Sequence, residues 1–277
     1  MRSFLEIHEV ATGWTRLVLA TEQLIEAPNW HPDGWLLVNC DRRLFRVPIE
    51  KPDLIPIDSG TAIRCNNDHG FSPDGRQIYF SSHTDRGSEI YRMPVAGGAP
   101  VPVTDKAPSW WHGISRDGNW ITYAAARQNR IVDICLCPAE GGEERRLTFG
   151  EGHSDGPDFS ADGKWVWYNC DRTGHAQIWR VRPDGTGHEQ VFVDDCVNWF
   201  PHPSPDGKHV LYLAYPPGTE GHPRDLPVAL TLMDPDGANR RVVARFNGGQ
   251  GTINTPCWAP DGSAFAYMRY APVLSGG

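Results

Sequence analysis

The 277-residue chain carries a formal net charge of −8, and its basic residues form no cluster of the kind that nucleic-acid phosphates require, so a nucleic-acid partner is not expected. Its longest apolar runs are only a few residues, far short of the roughly 20 that cross a bilayer as a helix, and its start, MRSFLEIHEVATGW, is broken by charges with no apolar run of signal-peptide length, so a cytoplasmic protein is expected. Gly (29) and Pro (24) are abundant and evenly spread, and the seven cysteines show no Cys-x-x-Cys pair or zinc spacing, which favours many short strands and turns over helices or a zinc fold.

Along the chain, LEIHEVATGWTRLVLA (residues 5–20) has the form of a β-hairpin. A corner follows at HPDG (31–34) and recurs as SPDG (72–75), SRDG (115–118), SADG (160–163), SPDG (204–207) and APDG (259–262), at intervals of 41, 43, 45, 44 and 55 residues. Proline presets φ and glycine accepts the left-handed conformation, so each is a tight turn. After each corner comes an alternating apolar strand, from WLLVN, QIYFSS, WITYAAA, KWVWYNC and HVLYLAY to AFAYMRY. In the first five units a polar turn and a second hairpin follow, which makes four antiparallel strands per unit. The sixth stops at AFAYMRY, and the missing half stands at the other end, in residues 5–20. The expectation is an all-β, six-bladed β-propeller of four-stranded antiparallel blades, one domain over residues 1–277, its last blade closed by the N- and C-terminal strands.

With these Pro-Asp-Gly repeats, the stretches NNDHG, WWHG, SDGPDFSADG, NWFPHPSPDG and GGQGTIN resemble the TolB-like six-bladed propellers along nearly the whole chain, and within them the cytoplasmic proteins often labelled "biopolymer transporter Tol". The resemblance implies that the segment before each corner forms the innermost strand, beside a central channel. A looser resemblance, to oligogalacturonate lyase propellers, implies a His-bound divalent metal near that channel (Mn, Ca or Zn, not distinguished), which neutralises a uronate carboxylate while an imidazole takes the adjacent proton.

NNDHG sets Asn66, Asn67, Asp68 and His69 where the chain enters its core, and buried unpaired polar groups cost about 1 to 3 kcal/mol each. Aligned on the corner Asp, His69 and His112 share one column and Asn29, Asp158 and His202 the next. Asn67, Trp110, Asp155, Trp199 and Asn254 share a third, and Asn66, Ser109, Ser154 and Asn198 a fourth. Blades are related by rotation, so each column is a ring, and polar residues scattered in sequence converge at the channel. His69, His112, His202 and Asp158 are the catalytic candidates, the three histidines doubling as metal ligands. Asn66, Asn67, Trp111, Asp155, Asn198, Trp199, Gln250 and Asn254 are the substrate-binding candidates, amides and carboxylates for hydroxyls and indoles for a sugar face. Two alternatives stay open: the polar ring is satisfied by backbone, and the indoles are wedges between blades.

The turns DRR (41–43), HTDRGSE (83–89), RQNR (127–130) and DRTGHA (171–176), with the long PPGTEGHPRDLP (216–227), are expected on the same face, the last as a lid. Glycines 248, 249 and 251 precede no Gly-Lys-Ser/Thr, and no Gly-x-Ser-x-Gly elbow occurs. The expected function is a carbohydrate-binding or carbohydrate-active propeller, a metal-assisted lyase or hydrolase on small acidic saccharides. The alternative is a non-catalytic scaffold that docks a peptide or protein at the channel mouth.

Overall fold

The computed structural model describes residues 1–127 and 130–272, so residues 128 and 129 of the 127–130 turn lie outside the described residues. Described secondary structure is all β: six blades of antiparallel strands, five of them four-stranded sheets built from consecutive segments. Blade 1 covers residues 25–57, blade 2 residues 65–102, blade 3 residues 109–146, blade 4 residues 154–190 and blade 5 residues 197–249. The sixth joins both ends of the chain. Strand Arg2–Glu9 pairs with Ala264–Ala271 from Arg2↔Ala271 to Glu9↔Ala264, and Thr15–Thr21 pairs on its outer side. The innermost position of this blade is filled by the segment around Trp258, tied to Phe265 by one bridge and to Ala266 through the Cys257 carbonyl at 2.9 Å.

The corners close each blade and dock it on its neighbour. Ser72 Oγ donates to Asp74 Oδ1 at 2.6 Å, Asp74 Oδ1 accepts from the Arg76 amide at 3.0 Å, and the pattern repeats at Ser115/Asp117, Ser160/Asp162 and Ser204/Asp206. Gly75 has φ +70°, and a Cβ there would stand 2.9 Å from His31 Nε2 of the preceding corner. Glycine therefore serves both the turn and the close approach of two blades.

Side chains on the two faces of each blade pack between neighbours as separate clusters. One joins Tyr79 and Ile90 of blade 2 to Trp111, Ile121, Tyr123 and Cys135 of blade 3. Trp111, a substrate candidate in the sequence, is the wedge of that cluster: it is 1% exposed, and a Cβ on Gly70 would lie 2.3 Å from its ring. The 216–227 segment is only partly a loop. Strand Arg224–Met233 has 10 residues and its partner Arg241–Gly249 has 9, whereas the fourth strands of blades 1 to 4 have two or three. The longer last interval extends this hairpin, because the chain there can keep pairing with itself.

Ring closure makes a clear prediction. Leu5 is fully buried in the terminal strand and Leu17 is 52% exposed on the outer one. Leu5→Ala is expected to cost about 2–5 kcal/mol in urea unfolding and Leu17→Ala less than about 0.5 kcal/mol; equal losses would mean that the terminal strand does not hold the ring.

Candidate functional site

The innermost strands of blades 1 to 5 all break register at the same place, between Glu26 and Asn29, Cys65 and His69, Trp111 and Gly113, Asp155 and Asp158, and Trp199 and His202. Blades 1, 4 and 5 make this bulge with a residue at positive φ, Ala27 (52°), Gly156 (60°) and Phe200 (55°). A bulge bends the strand and re-aims side chains, and here it separates two levels of the channel. Glu26, Asn67, Trp110, Asp155 and Asn254, each seven positions before a corner Asp, line a cavity of about 400 Å³ at one mouth. Asn29 and Asp158, three residues further on, line a cavity at the other mouth with Trp30, Phe159, Trp258 and the corner prolines. Three residues of extended chain span about 10 Å.

At the first mouth three imidazoles face one carboxylate. Asp155 Oδ1 lies 3.1 Å from His112 Nε2 and accepts from the Gly156 amide at 2.8 Å, while Oδ2 lies 3.5 Å from His153 Nε2 and 3.8 Å from His222 Nε2. Burial opposes the Asp155 charge, yet the His112 and His153 hydrogen bonds hold its carboxyl well below the usual range. Burial likewise opposes charge on His112 and His153, and the Asp155 bond outweighs it and raises both. His112 Nδ1 also meets the Asn254 carbonyl at 3.1 Å. Acceptors face both nitrogens, and the Asp155 carboxylate is the one that favours charge on the ring.

His222 differs, because burial lowers its pKa. Gln250 Nε2 donates to Asn67 Oδ1 at 3.3 Å, which turns Gln250 Oε1 towards His222 Nδ1 at 2.5 Å. His222 therefore carries its proton on Nδ1, and the Nε2 lone pair faces the cavity. The ring is braced on Trp199, centroids 4.3 Å apart. Across the cavity, burial pushes the Asp68 carboxyl up to about 7, the His112 charge and the Asn66 hydrogen bond only partly opposing this. Asn66 Nδ2 donates to Asp68 Oδ2 at 2.5 Å. Glu26 pairs with Arg224 and accepts from Asn67 Nδ2 at 3.3 Å. Arg224 Nε has no hydrogen-bond partner among the described residues.

The sequence candidates thus divide. His112, Asp155, Asn66, Asn67, Gln250 and Asn254 meet at this cavity, and Trp199 braces His222. His69 is fully buried with Nδ1 2.6 Å from Asn29 Oδ1 and Nε2 3.1 Å from Asn39 Oδ1; burial pushes its pKa down to about 3, so it is neutral. His202 Nδ1 pairs with Asp158 Oδ2 at 3.0 Å and Nε2 with the Ile253 carbonyl at 2.7 Å, and burial raises the Asp158 carboxyl despite His202. Asn198 faces a different cavity, beside Asp194. Glu26, Asp68, His222 and Arg224 were not among the candidates. Glu26 has a signal in the sequence, since it stands seven before Asp33 in the column of Asn67 and Asp155; His222 and Arg224 had none beyond the length of their insertion.

His69, His112 and His202 do not fit a shared metal ion. Both ring nitrogens of each already face an oxygen acceptor at 2.6–3.1 Å. Among the described residues no group of three or more His, Cys, Asp or Glu is placed to hold one. Of the Asp-Arg turns, Arg172 folds back onto Tyr168 Oη at 2.8 Å, whereas Arg42 lines a cleft continuous with the cavity through Glu26, Asn66 and His83.

No family model matches the chain. It is 47% identical to the uncharacterized protein Atu1656 of Agrobacterium fabrum over 99% of its own length and 94% of that protein's. A solved Agrobacterium tumefaciens structure, provisionally described as TolB, superposes with TM-score 0.96 at 47% identity and 99% coverage of each chain. The Tol-Pal system protein TolB of Bordetella pertussis is 28% identical over 69% of this chain, which spans only 51% of that relative. An oligogalacturonate lyase in complex with manganese shares the fold, with TM-score 0.59 at 14% identity over 94% of this chain and 76% of the lyase.

Asp68 gives a pH test. From its ordinary 3.8 up to about 7, the folded protein keeps a proton on Asp68 that the unfolded chain has released, so stability falls as pH rises through that window. Asp68→Asn, which carries no charge, is expected to match wild type near pH 4 and to unfold at higher urea than wild type at pH 8. Parallel urea midpoints for the two proteins across the window would show that Asp68 titrates normally.

Proposed function

We infer, for a chain that belongs to the TolB-like six-bladed β-propellers, that the cavity at the polar mouth binds a small saccharide and exchanges protons with it, as a lyase or hydrolase does. One observation carries the reading: His112, His153 and His222 converge on Asp155 at 3.1, 3.5 and 3.8 Å, with Asp68 held near neutral pKa across the same cavity. A structural plug needs paired groups. This cluster instead holds a neutral imidazole with a free lone pair and a carboxyl that is half protonated near pH 7, the two states that general base and general acid catalysis use.

In this reading His222 Nε2 takes a proton from the ligand and Asp68 returns one to the departing oxygen. Gln250 fixes the tautomer of His222 and Asn66 orients Asp68. Trp110 offers a half-exposed ring face to a sugar. The Arg224 guanidinium on the cavity wall supplies a positive group for a carboxylate, which favours acidic over neutral saccharides. The imidazoles expected to bind a metal are already engaged by oxygen acceptors.

A second reading is non-catalytic, the same mouth docking a peptide or protein; the likeness to a protein of the Tol-Pal system favours it. Turnover separates the two. His222→Ala is expected to lower turnover of a uronic disaccharide about 10²–10⁴-fold with stability almost unchanged, since His222 is partly exposed. His69→Ala is expected to cost about 1–3 kcal/mol by stranding Asn29 and Asn39. If neither neutral nor acidic saccharides bind the wild type in calorimetry, the scaffold reading stands in place of the enzyme.

A further inference from the structure

Away from the channel, the long hairpin of blade 5 leaves part of its own sheet uncovered. The second strand of the blade pairs with the third only as far as Ala214↔Ala229, and Arg224–Val228 runs on with only the fourth strand beside it. A cavity of about 640 Å³ lies against this overhang. Its walls are largely apolar, with Tyr212, Val228, Val242 and Phe246 from the sheet, and the link from blade 4 at Asp194 and Cys196 closes one side.

Three features distinguish it from an ordinary gap between blades. Arg240 and Arg245 line it, and among the described residues neither has an acidic partner within ion-pair distance; Arg240 lies over the Phe192 ring, 4.1 Å away. The one acid on the wall is already engaged, since Asp194 Oδ1 accepts from the Cys196 amide at 3.0 Å and from Asn198 Nδ2 at 2.9 Å. Asn198 is fully buried and lines the cavity, yet its Oδ1 has no donor. An apolar chamber with a surplus of one positive charge and an unanswered acceptor is built for an occupant rather than for packing.

We propose that this cavity is a second ligand site, separate from the polar mouth, and that it takes a small molecule with an apolar body and a single carboxylate head. The body lies on Val242 and Phe246, over the buried Tyr212 and Val228, and the head reaches Arg240 and Arg245. Carboxylate rather than phosphate fits because the surplus is a single charge. The Asn198 acceptor favours an acid that also brings a hydroxyl or amide N–H.

Cys196 lines the site and alone among the seven cysteines is not buried, so its alkylation by N-ethylmaleimide reports occupancy; Cys196→Ser removes the signal and confirms the assignment. Octanoate is expected to slow alkylation saturably, octanol at the same concentration far less, and octylamine not at all. N-acetyl-leucine, which adds an amide N–H to an apolar acid, distinguishes a peptide-like acid from a simple alkyl acid as the preferred source of the head. Arg240→Ala and Arg245→Ala, both changes of exposed residues, are each expected to raise the half-protecting concentration of octanoate about tenfold, with Arg245→Lys restoring part of it. Equal protection by octanol and octanoate, no protection by either acid, or protection unchanged in both alanine variants would overturn the proposal. Saccharide binding at the polar mouth is measured separately, so its failure would leave this result standing.

Discussion

The antiparallel pairing of Arg2–Glu9 with Ala264–Ala271 is the constraint on which the rest of the molecule depends. Each blade buries its faces only against its two neighbours, so an open array would leave two faces and two strand edges bare. The closing strands are tied by more than their backbones. Glu6 accepts from Tyr267 Oη at 2.6 Å and from Arg269 Nε at 2.7 Å, and Tyr270 Oη reaches the Ile25 carbonyl of blade 1 at 3.1 Å. Closure also fixes the channel, and only a closed channel brings Glu26 of blade 1 beside Arg224 of blade 5, 198 residues away.

Much of this was legible because it follows from local chemistry. The Pro-Asp-Gly corners and the alternating strands each report their own backbone conformation, and six of them at near-constant spacing leave few architectures. The half-blade at each end was legible as a deficit. The site was legible only as rings of columns, and there the bulges intervene. Unbroken alternation would set Asp155 and Asp158, three residues apart, on opposite faces of their strand. The bulge between Asp155 and Asp158 instead puts the first at one mouth and the second at the other. A positive φ at Ala27 or Phe200 has no signature in residue type, since neither is glycine or asparagine.

Partners, and not burial, distinguish the histidines. His69, His112 and His202 are almost equally inaccessible, yet each takes its state from its partners. His69 has two amide oxygens and no charge nearby to repay the desolvation of an imidazolium, so it stays neutral. His112 has the Asp155 carboxylate, which raises its pKa while the Asp155 carboxyl is held well below the usual range. His202 pairs with Asp158, whose carboxyl burial raises. Sequence shows three alike residues; the hydrogen-bond partners, set by strand register, make two of them fixtures and one part of a charged cluster.

The insertion in blade 5 links the features that sequence columns could not reveal. Continued pairing of Arg224–Met233 with Arg241–Gly249 makes a rigid arm, where a free loop would move. Its inner end carries His222 and Arg224 to the polar mouth, where Gln250, from the far side of the same hairpin, fixes the imidazole. Its overhang beside the link from blade 4 leaves Val242 and Phe246 partly open next to Arg240 and Arg245. A hairpin cut to the length of those in blades 1 to 4 would lose His222 from one cavity and the wall of the other. One lengthening of the chain therefore accounts for both, and it ties the two through a strand pair whose register cannot slip without moving His222 away from Asp155.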